Sequence, residues 1–152
     1  MIVFLFNTSK GKMFIDALDL KTLTLLHVIR VPIEWVLYWL FIHKFVPELM
    51  TFEGRNFDIL SGITAIIVYY FGFVKPKLSN VSVLIWNFCC LGLVINIAVN
   101  GILSAPTKFQ QFAFEQPNIA MQYFPFVLLP SVIVPIVIFS HLASIRQLTK
   151  NQ

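Results

Sequence analysis

The chain has 152 residues, 58% of them hydrophobic and 12% charged, with a net charge of +4. A soluble domain carries roughly 25% charged residues, so this composition excludes a water-facing surface and makes the bilayer much of the solvent. The basic excess forms no basic run and no aromatic–basic interleaving, which argues against a nucleic-acid partner and leaves the positive residues as a topology signal.

In chain order, Met1–Phe6 is apolar but covers only ~9 Å as a helix, too little to span, and has no signal-peptide layout. Residues 1–21 are expected to form a cytoplasmic or interfacial segment, with Met13–Lys21 either a short interfacial helix or an apolar loop docked on the bundle. Residues 22–146 form the membrane domain. Its spans are expected at about 23–45, 57–74, 80–103 and 122–145, each near the ~20 residues a helix needs to cross. Residues 147–152 are a cytoplasmic tail. The period-2 alternation of a membrane barrel is absent, so the fold class is all-α: a bundle of four transmembrane helices with short interfacial helices. Thr107–Gln116, bordered by Pro106 and Pro117, is likewise either a short interfacial helix or an apolar loop docked on the bundle.

Seven basic residues (Lys10, Lys12, Lys21, Lys75, Lys77, Arg146, Lys150) fall on one side of these spans and three (Lys44, Arg55, Lys108) on the other. The positive-inside rule then puts both termini in the cytoplasm.

The second span carries Asp58, Gly62, Ala65, Tyr69 and Gly72 at spacings of four and three, and the third carries Cys89, Gly92, Asn96 and Asn100 in the same way. Small residues let helices approach and asparagines bond across, so these stripes are expected where the helices meet. Asn96 and Asn100 have the second reading of polar lining in a cavity. The adjacent Cys89 and Cys90 have no metal-type spacing and read as packing residues. In the fourth span, Pro125 can start the helix, whereas Pro130 and Pro135 each delete a hydrogen bond and predict a kink.

The first span holds His27, Arg30 and Glu34 at membrane depth, and with Tyr38 they share one face. Arg30 and Glu34, at i and i+4, can pair with each other, which makes them either a self-neutralising structural pair or part of a binding or proton site. Pro32 frees the carbonyl of Val28, which the side chain of Arg30 or His27 could contact. Glu34 is the acidic residue nearest the midplane, with Asp58 at the outer edge. His141 lies about one turn from the end of the fourth span, the same depth as His27, so the two could ligate haem or a metal; the alternative is two interfacial histidines with backbone or lipid partners. His43 is too far away to join them. Asn56 or Asp58 is expected to cap the second helix. No nucleophile–base pair, phosphate-binding glycine loop or CxxC motif is present.

The segments HVIRVPIEW, ELMTFEGRNF, SAPTKFQQFAFEQPN and FSHLASIRQL resemble a family of small uncharacterised bacterial multi-pass membrane proteins. The resemblance spans most of the chain and implies a bacterial inner-membrane location. It carries no assigned activity. It also implies a longer N-terminus, which makes Met1–Phe6 the end of a further helix.

The leading expectation is a non-catalytic binding or scaffold subunit for a partner protein, lipid or small solute, lodged in the lipid bilayer and self-associating or joined to a membrane partner. Its candidate binding residues are His27, Arg30, Glu34, Tyr38, Asn96, Asn100 and His141, and no cofactor is expected. The alternatives are a proton- or solute-coupled transporter element using Glu34 and Arg30, and a haem or metal redox protein using His27 and His141.

Overall fold

In the computed structural model, which describes residues 2–150, the chain is all-helical: seven α-helices joined by short 3₁₀ and π turns, with no strand among the described residues. Helices α1 (Ile2–Asn7) and α2 (Ser9–Asp16) form a hairpin in which the Thr8 hydroxyl caps α2 by accepting from Gly11 N at 3.2 Å. Asp19 caps α3 (Leu20–Leu26), accepting from Thr22 N at 3.0 Å. A 3₁₀ turn at His27–Ile29 leads directly into α4 (Arg30–Ile42), so Leu20–Ile42 is one rod. Pro32 explains the tighter turn. It cannot donate to the Val28 carbonyl, and the N–H groups at the end of the 3₁₀ turn take the His27 and Val28 carbonyls instead. That carbonyl is therefore satisfied by backbone and not, as expected above, by a side chain.

Helix α4 ends in a Schellman motif, with Phe45 N bonded to Leu40 O and Lys44 N to Phe41 O, both at 2.9 Å. Lys44 takes the left-handed position at φ 64°. Helix α5 (Asp58–Tyr69) continues through a π turn to Val74. Helix α6 (Asn80–Leu103) is capped by Ser79, and α7 (Val134–Lys150) follows a π turn at Leu129–Ile133.

Three helical stretches are long and apolar enough to cross a membrane: Leu20–Ile42, Asn80–Leu103 and Leu129–Lys150. Asp58–Val74 is apolar but shorter. The last helix begins at Leu129, seven positions after the expected 122, because residues 123–128 wind through turns ahead of Pro130. It runs on to Lys150, so the expected tail is helical as far as Lys150; Met1 and residues 151–152 lie outside the described residues.

Of the two readings of Thr107–Gln116, the structure shows the loop and not the helix. Gln111 N and Phe112 N both turn back to the Leu103 carbonyl, Gln110 Nε2 donates to the Phe112 and Ala113 carbonyls, and Ala113 sits at φ 56°. Local side-chain bonding of this kind competes with helix. In the 9–21 region, helix is interrupted between Asp16 and Leu20.

The expected stripe on α5 is a packing face. A Cβ on Gly62 would lie 2.7 Å from Val31 Cγ2 and 3.1 Å from Val31 N, so α5 and the first rod meet nearly backbone to backbone. The stripe on α6 is displaced. Cys89, Gly92 and Asn96 face outward, and only Asn100 of that set is buried. The face that packs is Val83, Asn87, Cys90, Val94 and Ile97. It has the same four-and-three spacing, but it carries the bulkier apolar groups and a second asparagine. The main core joins Leu37, Met50, Val94, Ile97 and Val137. The outward surfaces are apolar too, with Trp35, Trp39, Ile66, Phe88 and Ile102 all more than half exposed, the pattern of a bundle whose solvent is lipid.

Candidate functional site

The first rod presents His27, Arg30 and Glu34 to the interior, where each is at most 2% exposed. The Arg30 guanidinium links three other helices. Nη1 donates to Asp58 Oδ1 on α5 at 2.8 Å and lies 3.5 Å from the Cys90 carbonyl on α6, while Nη2 is 2.9 Å from His141 Nε2 on α7. A guanidinium only donates, so His141 Nε2 accepts and the ring proton sits on Nδ1. That Nδ1–H donates to Asn87 Oδ1 at 2.9 Å, and Asn87 Nδ2 donates to the Val83 carbonyl at 2.9 Å. The network fixes His141 as a neutral Nδ1–H tautomer.

Arg30 thus pairs with Asp58 and not with Glu34, which overturns the expected i to i+4 pair. Asp58 is 5% exposed and stands beside Arg30. Glu34 is met by Asn56, whose Nδ2 lies 2.6 and 2.8 Å from its two oxygens and 3.0 Å from the Met50 carbonyl. Asn56 Oδ1 accepts from Asp58 N at 3.0 Å, so Asn56 also caps the start of α5. The loop holding it dips into the bundle, where Met50, Thr51 and Asn56 are buried. In this way the loop brings Asn56 and Asp58 to the first rod, while Glu53 and Arg55 stay exposed.

His27 and His141 do meet, at the shared depth the sequence implies, but as a stack. Their ring centroids are 3.8 Å apart with planes 11° apart, and Trp86 packs edge-on to both. Parallel stacked rings do not converge on one ion, and both His141 nitrogens are already engaged. Neither ring nitrogen of His27 has a hydrogen-bond partner. Among the described residues no group of three His, Cys, Asp or Glu side chains is placed to hold a metal. The geometry does not fit the haem or metal alternative.

A cavity of about 500 Å³ opens beside this seam. Arg30, Glu34 and Asp58 line one end, and Thr107, Asn118 and Gln122 the other. Its walls are apolar, among them Leu37, Ile97, Ala98, Ile133 and Val134. The gap exists because α6 continues to Leu103 while the chain opposite it is the π turn at Leu129–Ile133, where Pro130 lacks an N–H and regular helix starts only at Val134. Of the lining residues, Ile102 and Phe109 are 62% and 73% exposed, so the mouth lies at the loop end of α6.

The other expected residues are placed elsewhere. Tyr38 stacks on Phe52 at 4.9 Å, away from the cavity lining. Asn96 is exposed and donates to the Arg55 carbonyl, and Asn100 donates to Asn96 Oδ1 at 3.3 Å. The sequence reading missed Asn87 and Asn118 as site residues. Asn87 carries a usable signal, since it lies on the Val83–Asn87–Cys90–Val94 helical face. Asn118 sits in an irregular loop and carries none.

The chain belongs to a family described as a domain of unknown function (DUF8737), which matches residues 4–149. Neither the curated proteins nor the solved structures include a match.

Proposed function

We propose that this is a small integral protein of a bacterial inner membrane that binds an apolar, membrane-soluble molecule in the cavity between α6 and α7. The observation that carries this reading is the cavity: about 500 Å³, apolar in its walls, with three ionisable side chains gathered at one end. Ligand pockets run from about 300 to 1,000 Å³ and combine apolar walls with a few convergent polar groups. Buried ionisable residues in membrane helices are kept where they serve a site or line a cavity. Of the binding roles considered from the sequence, this favours a lipid or small-solute ligand.

The membrane placement follows from four crossings. Asp58–Val74 has 17 residues and is about 25 Å long, enough to cross with local thinning or flanking anchors. The seven-to-three basic count puts both termini in the cytoplasm. Reporters fused at either terminus are expected to read cytoplasmic, and reporters after Glu53 and Lys108 to read external. An external C-terminus refutes the topology. A seam this small also favours self-association, which native mass measures directly.

The binding reading is tested by purifying the protein in mild detergent and identifying retained small molecules by mass spectrometry, alongside Ala98→Phe, which fills the cavity wall. The expected result is an apolar molecule held by the wild type and lost from a folded Ala98→Phe. Equal retention by both proteins, or none by the wild type, refutes the reading.

A further inference from the structure

The polar end of the cavity has an uneven charge count. Arg30, Glu34 and Asp58 line it, and no other Lys or Arg does. One guanidinium therefore faces two carboxylates. His141 is held neutral by its bonds, and His27 has no acceptor at either ring nitrogen, so neither ring offsets the excess.

The excess negative charge is presented to the cavity. Asp58 Oδ1 accepts from Arg30 Nη1 at 2.8 Å and from Ser61 Oγ at 3.5 Å. Among the described residues nothing donates to its second oxygen, Oδ2. Arg30 Nε is sealed within the seam, whereas Asp58 Oδ2 keeps accessible surface, on a side chain that is 7% exposed and lines the cavity. Glu34 is also short of donors. Both its oxygens share the one nitrogen of Asn56, at 2.6 and 2.8 Å, where a carboxylate has room for about four hydrogen bonds.

This arrangement sets the class of the occupant. A negative head would meet net repulsion, and a neutral head would leave a buried charge uncompensated, which is costly. A bare metal ion is a poor fit, because hard cations take six or more oxygen ligands and no group of three ligating side chains stands here among the described residues. An ammonium supplies one positive charge and up to three N–H donors. The walls at Leu37, Ile97 and Val134 suit a hydrocarbon body. Resting on the cavity-binding reading above, we propose that the ligand is a lipophilic amine, bound as its ammonium ion. The ammonium donates to Asp58 Oδ2 and faces Glu34, and the apolar body lies along α6.

The test uses the full chain in a neutral maltoside detergent. Binding of tritiated dodecylamine at pH 7 is followed by scintillation proximity and competed with unlabelled probes. Dodecanol keeps the chain and a donor but has no charge, and dodecanoate reverses the charge. Ala98→Phe corrects for uptake by the micelle. Dodecylamine is expected to bind about ten-fold tighter than dodecanol, the worth of one charge-assisted hydrogen bond, and dodecanoate not to compete. Asp58→Asn strands Arg30 and threatens folding, so Glu34→Gln carries the variant arm: it keeps the shape but balances the charge. In folded Glu34→Gln the preference for the amine should shrink several-fold while dodecanol still binds; an unchanged preference refutes the charge argument. The wild-type comparison needs no variant to fold. If amine and alcohol bind the wild type alike and Ala98→Phe abolishes both, the cationic ligand is refuted and the cavity reading stands. If no probe binds, the molecule that co-purifies and is expelled by Ala98→Phe decides. A basic nitrogen in it supports the proposal, and a neutral or acidic molecule refutes it while leaving the cavity reading intact. If nothing co-purifies either, both fall.

Discussion

The Arg30–Asp58 pair makes the sharpest prediction. The two side chains are 3% and 7% exposed and 2.8 Å apart. Removing one partner of a buried pair leaves an uncompensated charge, at a cost of about 3–5 kcal/mol, whereas replacing both with apolar groups is often close to neutral. Arg30→Leu and Asp58→Leu should therefore each destabilise by several kcal/mol, and the double variant should lose less than the sum. Arg30 carries additional bonds, to His141 and the Cys90 carbonyl, so Arg30→Leu should be the worse single change. The control is the pairing that the sequence alone favours. Arg30 makes no direct bond to Glu34, whose oxygens go to Asn56, so the Arg30–Glu34 cycle should couple more weakly than the Arg30–Asp58 cycle. Both cycles can be measured by denaturant unfolding in mixed micelles, followed by tryptophan emission and evaluated as the difference between double and summed single losses. Additive losses for Arg30 and Asp58, or stronger coupling to Glu34, would refute the placement of the guanidinium.

Three further outcomes follow from local geometry. Gly62→Ala drives a methyl to 2.7 Å from Val31 Cγ2 and should cost about 1–3 kcal/mol by overpacking, whereas Gly92→Ala, whose Cβ meets nothing within 4 Å, should be neutral or stabilising; the same unfolding assay ranks them. Lys44 holds φ 64° in the Schellman motif, a conformation that costs a non-glycine residue about 1–2 kcal/mol, so Lys44→Gly should raise the unfolding midpoint. Bonds from Lys150 and Arg146 hold the Asp16 carboxyl below its ordinary 3.8. Because that folded-state value is depressed, its contribution is complete above about pH 4 and is lost as pH falls below 3.8. Hydrogen exchange across 9–16, corrected for intrinsic rate, should show α2 loosening from α7 on acidification, with no such transition in Asp16→Asn.

The helices, their apolar character and the internal face of the first rod were legible because period and composition are local properties. Pro32 marked the irregularity in that rod, although the backbone and not a side chain satisfies the Val28 carbonyl. The pairing of the charges was not legible. Residues at i and i+4 can always pair on paper, and nothing local in HVIRVPIEW says that Asp58, 28 positions on, sits closer to the guanidinium. The packed face of α6 was misjudged for a related reason. Two stripes one residue apart have the same spacing, and only the partner for Asn87, which is His141 on another helix, selects between them. The loop at 107–116 shows apolar residues at helical intervals, but its glutamines bond to backbone carbonyls and divert the chain. The cavity was beyond reach altogether, since it arises where two long helices stop matching in length.

That mismatch and the polar seam are parts of one arrangement. In lipid there is little hydrophobic drive to bring helices together, so packing and interhelical hydrogen bonds must do it. Here one guanidinium touches α5, α6 and α7 at once, and the histidine it fixes is braced by Asn87 and stacked on His27. The bundle is therefore pinned firmly at the level of Arg30. Among the described residues nothing comparable joins α6 to the chain near Gly101, which meets the Met50 thioether and the amide of Asn118. A bundle clamped at one level and loosely matched at the other leaves apolar space above the clamp, opening past Ile102 at the loop end of α6. A ligand entering there would travel along apolar walls to reach the clamp itself. Occupancy should then be felt by the Arg30–Asp58–His141 network, and ligand retention and the stability of that network should rise and fall together across the Arg30, Asp58 and Ala98 variants.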